Sequence, residues 1–308
     1  RDSIRDEEVR RRIEELAIPP AWRDVWICPE SEGHLQAVGR DDAGRRQYLY
    51  HEEFRAARER MKFDRLPSFG RALPALRRRV GRDLACPGLP RRKVAAAAVR
   101  ILDLAAIRVG NPEYERSNGT YGLVTLRRRH LDIGRGRAGL RFTGKGGREV
   151  SVELTDADLV EVLRDCDELP GYRLFQYVTD AGEKTSLGVD ELNAYIAEAG
   201  AGDFTAKDFR TWAGTTAAVD ELAARPRGED ESERRSIVVD VAGVVADRLH
   251  NTPAVARESY IHPRVEELYL AGELHATLEA VRSRADDLRT PGRRREERLT
   301  LALLEEAG

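Results

Sequence analysis

Lysine is scarce in this chain. Of its 52 basic residues only five are lysines, Lys62, Lys93, Lys145, Lys184 and Lys207. Arginine is in effect always protonated, whereas a lysine can give up its proton where its surroundings lower its pKa. Each retained lysine therefore marks a position to examine for chemistry that arginine cannot supply. Cysteine is nearly as rare. Cys28, Cys86 and Cys166 are odd in number and far apart, which excludes a disulfide framework or a zinc site and suits three packed thiols in a reducing cytosol. No run approaches the roughly 18 apolar residues of a membrane helix. No secretory signal is visible, and there is no internal repeat or long low-complexity segment. These absences lead to the expectation of a cytoplasmic, globular protein. The 308 residues, 41% of them hydrophobic, are enough for one large domain or two smaller ones.

Overall charge is almost balanced, at −2, which at first argues against a nucleic-acid partner. Its distribution argues the other way. Residues 51–150 hold 24 Lys and Arg against 10 Asp and Glu, and residues 151–200 hold 3 against 12. A chain that is neutral in sum can still turn a strongly basic face to a polyanion.

The pattern changes along the chain. Residues 7–16 read as a charged amphipathic helix that IPPAW ends. DVWICP, GHLQAVGR and RQYLYH are short strand-like runs separated by turn residues. From His51 the period becomes helical, and LPSFG near residue 66 suggests a boundary. RRKVAAAAVRILDLAAIRVG reads as one strong helix closed by Gly110. From about Asp156 the chain reads as mostly helical. The expected class is α+β, with a β-rich N-terminal domain over residues 1–67 and a mostly helical domain over 68–308.

One stretch, GLRFTGKGGREVSVEL, nearly spells a nucleotide-binding loop. Gly139, Gly144 and Lys145 supply GxxxxGK, but the next residue is Gly146, where magnesium binding requires Ser or Thr. A strand-like EVSVEL follows in place of the helix whose N-terminus would hold the phosphate. The reading is a hairpin with Lys145 at its tip, and no nucleotide site.

Other segments carry phosphate chemistry of a different kind. Arg108 lies in AAIRVGN. Lys207 and Arg210 share a helical face in KDFRTWAGT. Asn251 and Tyr260 lie in HNTPAVARESYIHP, where Thr252 can cap a short helix with Pro253 in its first turn. Cutting a phosphodiester without a metal needs a nucleophile, cationic donors on the non-bridging oxygens and an acid for the leaving oxygen. Tyrosine can be the nucleophile, arginine forks match phosphate geometry, and a lysine can donate the proton.

These motifs, together with IPPAW, GRDDAGRRQYLYH and NGTYGLVTLRRRH, run in order over roughly residues 18 to 263 and resemble the small, poxvirus-like type IB DNA topoisomerases of bacteria. The resemblance implies a two-domain clamp on duplex DNA whose catalytic fold is related to that of the tyrosine recombinases. It implies relaxation of supercoils by a monomer, through a 3′-phosphotyrosyl intermediate, without ATP, an obligatory metal or a membrane, and an association with the nucleoid. By the same resemblance, Tyr260 is the nucleophile, Arg108 and Arg210 stabilise the transition state, Lys145 is the general acid and Lys207 supports it. Gln47, Tyr48, Tyr50, Lys62 and Arg65 are implied DNA contacts. Asn251 stands where many members have a histidine on a phosphate oxygen. Its amide can keep that contact but cannot titrate. His250 points elsewhere on the backbone, and His262 reads as structural. A tyrosine recombinase is the alternative, against which the β-rich N-terminal segment speaks.

Overall fold

A computed structural model describes residues 4, 6–42 and 44–306, the side chains of Ala56 and Glu59 excepted. The chain divides into two compact units, Arg1–Asp64 and Arg65–Gly308.

The first unit opens with α1 (Glu7–Glu15), capped by the Asp6 carboxylate, which accepts from the amides of Glu8 and Val9. Strands β1 (Arg23–Ile27), β2 (Leu35–Arg40) and β3 (Arg46–Tyr50) form an antiparallel sheet in that order. Arg12 ties α1 to this sheet by donating to the Cys28 carbonyl at 2.8 Å and the Gln36 amide oxygen at 2.9 Å. Because side chains alternate across a strand, the register Trp26–Val38–Tyr48 gathers these three on one face. Trp26 and Tyr48 are 50% and 48% exposed there, while Ala37 and Gly39 are buried. Helix α2 (Glu52–Asp64) completes the unit.

The second unit is mainly helical. Helices α3 (Leu66–Leu84), α4 (Arg91–Ala105) and α5 (Pro112–Asn118) precede a sheet of β4 (Leu131–Ile133), β5 (Ala138–Thr143) and β6 (Glu149–Leu154). Next come α6 (Ala157–Glu168), the strand pair β7 (Gln176–Val178) and β8 (Lys184–Ser186), and α7 (Val189–Gly200). Then follow α8 (Ala206–Ala224), α9 (Glu231–Leu249), α10 (Pro253–Tyr260), α11 (Pro263–Leu270), α12 (Leu274–Ala280), α13 (Arg282–Asp287) and α14 (Arg295–Glu305). Two apolar clusters share α8. Phe209 and Trp212 belong to the cluster built on α3, α4 and the β5–β6 hairpin. Ala217, Ala218, Val219 and Leu222 belong to the one built with α9 to α12. Burial on almost every side holds α8, and the residues it carries, in a fixed place.

Two expectations need correction. The helix read through to Gly110 ends at Ala105, where Ala106 adopts a left-handed cap with φ 47°. The segment beyond it is taken up by backbone pairing, with the Arg108 and Val109 carbonyls accepting from Leu123 and Val124 at 2.9 Å each. Long-range pairing here overrides local helix propensity. The apolar stretch after Tyr269 is broken at Gly272, whose φ of +78° no helix accommodates.

Buried charge locks the helices together. The Arg77 guanidinium of α3 lies 2.6 Å from both Asp103 of α4 and Glu297 of α14. Burial alone would lower the Arg77 pKa, yet the two carboxylates raise it above its ordinary value. Burial pushes Glu297 up, and Arg77 more than offsets this and holds it low. Arg77→Ala would strip the guanidinium from two carboxylates only 8% and 4% exposed, leaving Glu297 just the Arg294 amide. The expected loss is about 3–5 kcal/mol, read as a lower urea midpoint. Because the folded Glu297 pKa is depressed, its stabilisation is present above the unfolded value and vanishes as pH falls through the folded one. The gap between wild type and variant should therefore narrow in acid.

Candidate active site

Tyr260 is placed by its backbone. Thr252 accepts from the Val255 amide and caps α10, whose last residue is Tyr260. The Thr215 hydroxyl of α8 donates to the Tyr260 carbonyl at 3.1 Å and accepts from the His262 amide at 3.1 Å. At Gly214 the two helices nearly touch, and an added Cβ would lie 2.6 Å from the Tyr260 carbonyl oxygen and 2.9 Å from its Cβ. Gly214→Ala should favour α8 by helix propensity, by up to about 1 kcal/mol, while displacing Tyr260. The close approach to the Tyr260 backbone costs about 1–3 kcal/mol against that gain, so the expected outcome is a modestly lower melting temperature with strand cleavage slowed on the order of 100-fold. A full-rate variant would show that the nucleophile tolerates the shift.

One turn earlier on α8, Arg210 is 4% exposed. Its guanidinium carbon sits 4.7 Å from the Tyr260 ring centroid. It donates to the carbonyl of Ala106, at the end of α4, and to that of Leu249, at the end of α9, the latter at 2.9 Å. Arg108 donates to the His250 carbonyl at 3.1 Å and to the Asn251 side-chain oxygen. Two helix C-termini, whose last carbonyls lack intrahelical partners, thus orient both guanidinium groups. Each keeps further N–H donors for a ligand.

Electrostatics follow from this crowding. Burial alone would raise the Tyr260 phenol, but Arg210, Arg108 and Lys207 outweigh it and hold the pKa below its ordinary value. Arg108 is lowered by burial, then by Arg210 and Arg148. Lys207 is exposed at the start of α8, one turn before Arg210.

The hairpin reading of Lys145 holds. Strands β5 and β6 pair from Ala138–Leu154 to Thr143–Glu149. The turn closes with Gly144 donating to the Arg148 carbonyl at 2.7 Å. Gly146 and Gly147 take φ values of 75° and 74°, which favour glycine. Lys145 is exposed at this tip and lines one cleft with Arg108, Arg210, Tyr121 and His250.

Asn251 is held through its side-chain oxygen. It is 3% exposed. A guanidinium only donates, so the oxygen of Asn251 must face Arg108. The amide nitrogen is then buried and has no partner.

The residues read as DNA contacts are not all together. Tyr48 and Tyr50 stack with centroids 6.3 Å apart, and Arg58 lies 6.0 Å over Tyr50. Gln47 donates to Asp41 at 2.9 Å. The Lys62 ammonium lies 4.1 Å from the Phe63 ring centroid. Arg65, read with the N-terminal group, belongs instead to the second unit. It sits at the start of α3, 3.5 Å from Asp208 and 3.8 Å from Asp203, because helix α3 carries it into that core. Sequence reasoning passed over Arg148, Gly214 and Thr215. Only the arginine left a signal, as the cation that follows TGKGG.

Comparison with known proteins identifies the family. A family model described as "Eukaryotic DNA topoisomerase I, catalytic core" matches residues 51–281. A second, "Bacterial DNA topoisomerase IB, N-terminal domain", matches residues 1–41. The chain is 33% identical over 265 residues to the "DNA topoisomerase 1B" of Acanthamoeba polyphaga mimivirus, a match that covers 84% of this chain and 79% of the viral protein. A guanidinium over the ring of a half-buried tyrosine, a second one beside it and a lysine on a hairpin tip thus occur in a chain that belongs to the type IB DNA topoisomerase family.

Proposed function

We propose that this type IB topoisomerase relaxes supercoiled duplex DNA with Tyr260 as its nucleophile. The phenolic oxygen attacks the phosphorus, the bond to the 5′ oxygen breaks, and a 3′-phosphotyrosyl link forms. The leaving oxygen takes its proton from Lys145, which Lys207 supports. The cut strand rotates, and the 5′ hydroxyl then reverses the step. Arg108 and Arg210 donate to the non-bridging oxygens, where charge accumulates in the transition state. Asn251 serves by holding Arg108 in orientation. The observation that carries the reading is the Arg210 guanidinium 4.7 Å from the Tyr260 ring, which favours a phenolate nucleophile.

The exposed Trp26–Val38–Tyr48 face, with Tyr50 beside Arg58, supports a DNA surface on the first unit, to which Gln47 and Lys62 contribute. The same reading includes a monomer acting on nucleoid DNA without a nucleotide, and a catalytic unit related in fold to the tyrosine recombinases. The test is relaxation of supercoiled plasmid in EDTA, followed by denaturation and mapping of the covalent DNA–peptide adduct. An adduct on the peptide that contains Tyr260 is expected. Relaxation with an adduct elsewhere, or no relaxation, would overturn the assignment.

A further inference from the structure

A second cavity, of about 200 Å³, adjoins the catalytic cleft, and His250 lines both. Its apolar wall is made by Leu104, Val152, Phe209 and Trp212. Two polar groups on this wall are unsatisfied. The Trp212 indole nitrogen and the Thr216 hydroxyl have no hydrogen-bond partner, and their residues are only 4% and 5% exposed. They stand at i and i+4 on α8, which puts them on one face of the helix, one turn apart. A buried polar group without a partner costs free energy. Such groups are few in folded proteins, and each calls for something that satisfies it. Here they belong to residues that line a space large enough to hold it.

The unspent groups define the chemistry of an occupant. An indole N–H only donates, and a hydroxyl can donate as well. Arg248 and Arg294 also line the cavity and are exposed, so it opens to solvent on a cationic side. The acids of the lining are largely committed. Asp103 accepts from Arg77 at 2.6 and 2.8 Å, and Glu297 does so at the same distances. Glu297 also accepts from the Arg294 amide at 2.8 Å. The remaining acid, Glu296, is outnumbered by the two arginines. Burial, then Arg210, hold the His250 imidazole below its ordinary pKa, so it adds no charge near pH 7. What the site offers is therefore an aromatic surface and several donors. A cavity of about 150 Å³ already admits a benzene ring.

We propose that this cavity is a binding site for a small aromatic carboxylate. The ring packs on Phe209 and Trp212, and the carboxylate accepts from the Trp212 indole, the Thr216 hydroxyl and Arg248. Binding is non-covalent. The occupant also lies against Ala106, whose carbonyl orients Arg210. The site is thus in contact with the backbone that sets the catalytic cleft, although it takes no part in the chemistry there.

The three tryptophans of the chain make the test direct, because Trp22 and Trp26 lie in the first unit and serve as internal controls. Indole N–H signals of the full chain are followed by NMR during titration with benzoate, and Trp212→Phe assigns the Trp212 signal. Benzyl alcohol, a ring without the charge, and acetate, a charge without the ring, are titrated in parallel at constant pH and ionic strength. Benzoate is expected to move the Trp212 signal saturably, with a Kd of about 1–10 mM, as its size allows. Thr216→Val, which keeps the shape and removes the hydroxyl, should weaken benzoate about tenfold. Arg248→Gln changes an exposed residue, and so tests the same contact should Thr216→Val melt early. It too should weaken benzoate several-fold. Benzyl alcohol and acetate should each bind at least about tenfold more weakly than benzoate. No saturable shift at Trp212 up to about 50 mM benzoate would overturn the proposal and leave the cavity to water. Parallel shifts at all three indoles, equal response to the three probes, or undiminished binding in both Thr216→Val and Arg248→Gln would overturn it as well. The test involves no DNA cleavage, so its outcome is independent of the function proposed above.

Discussion

Tyr260→Phe is expected to abolish covalent adduct formation and plasmid relaxation while leaving the fold intact. The substitution removes one oxygen atom. The ring stays half-buried at the end of α10, and it keeps its contact with the Arg210 guanidinium, because a phenylalanine face attracts a cation as well. The backbone contacts that position residue 260, from Thr215 and against Gly214, do not involve the side chain. Stability should therefore change by less than about 1 kcal/mol. Cleavage, by contrast, loses the oxygen that attacks the phosphorus, and the expected residual adduct is at background. The measurement is a denaturing gel of end-labelled duplex after incubation with each protein, alongside thermal melts of both. A Phe variant that still relaxes plasmid would place the nucleophile elsewhere.

Arg210→Ala is expected to produce the second largest change, a fall in cleavage rate on the order of 1,000-fold. Three consequences act together. The transition state loses a donor. The Tyr260 phenol loses the strongest of the charges that lower its pKa, so burial takes over and its pKa rises. The carbonyls of Ala106 and Leu249 lose their guanidinium partner, at about 1–3 kcal/mol for each group left buried without one. The sign of the pH effect follows. With a higher phenol pKa, less phenolate exists at a given pH, so the alkaline rise of residual cleavage should move to higher pH than in wild type. Arg210→Lys should keep part of the charge effect but recover little rate, because an ammonium cannot hold two carbonyls in the planar fork and still face the phosphate. Single-turnover rates across pH, with urea melts to separate folding from chemistry, check both outcomes. Equal rates in Arg210→Ala and wild type would remove the guanidinium from the chemistry.

Much of this site could be read along the chain because its signals are local. The missing hydroxyl after Lys145 and the alternating EVSVEL that follows excluded a nucleotide loop and pointed to a hairpin, which β5 and β6 form. Thr252 and Pro253 signalled a helix start, and counting forward placed Tyr260 at the helix end, where it lies. Helical spacing alone put Lys207 and Arg210 on one face. The N-terminal strands were legible from alternation and turn residues, and β1, β2 and β3 occupy those runs.

What could not be read depends on contacts between residues distant in sequence. Nothing near Arg108 indicates that the helix before it stops at Ala105, since the segment beyond is claimed by a stretch more than a dozen residues away. Nothing in HNTP says that Asn251 is buried with its oxygen on Arg108 while His250 borders the cleft, because the left-handed turn that sets their directions is stabilised by the end of α9 and by the Arg108 guanidinium from the segment after α4. The sequence by itself determined which side chains are available for phosphate chemistry and the period of the elements that carry them, because residue type and spacing are local properties. Only the tertiary structure decided that Arg210 lies on Tyr260, that Gly214 sets their separation and that His250 rather than Asn251 faces the cleft. Those facts depend on where helix ends and a hairpin converge, and no single segment encodes that meeting.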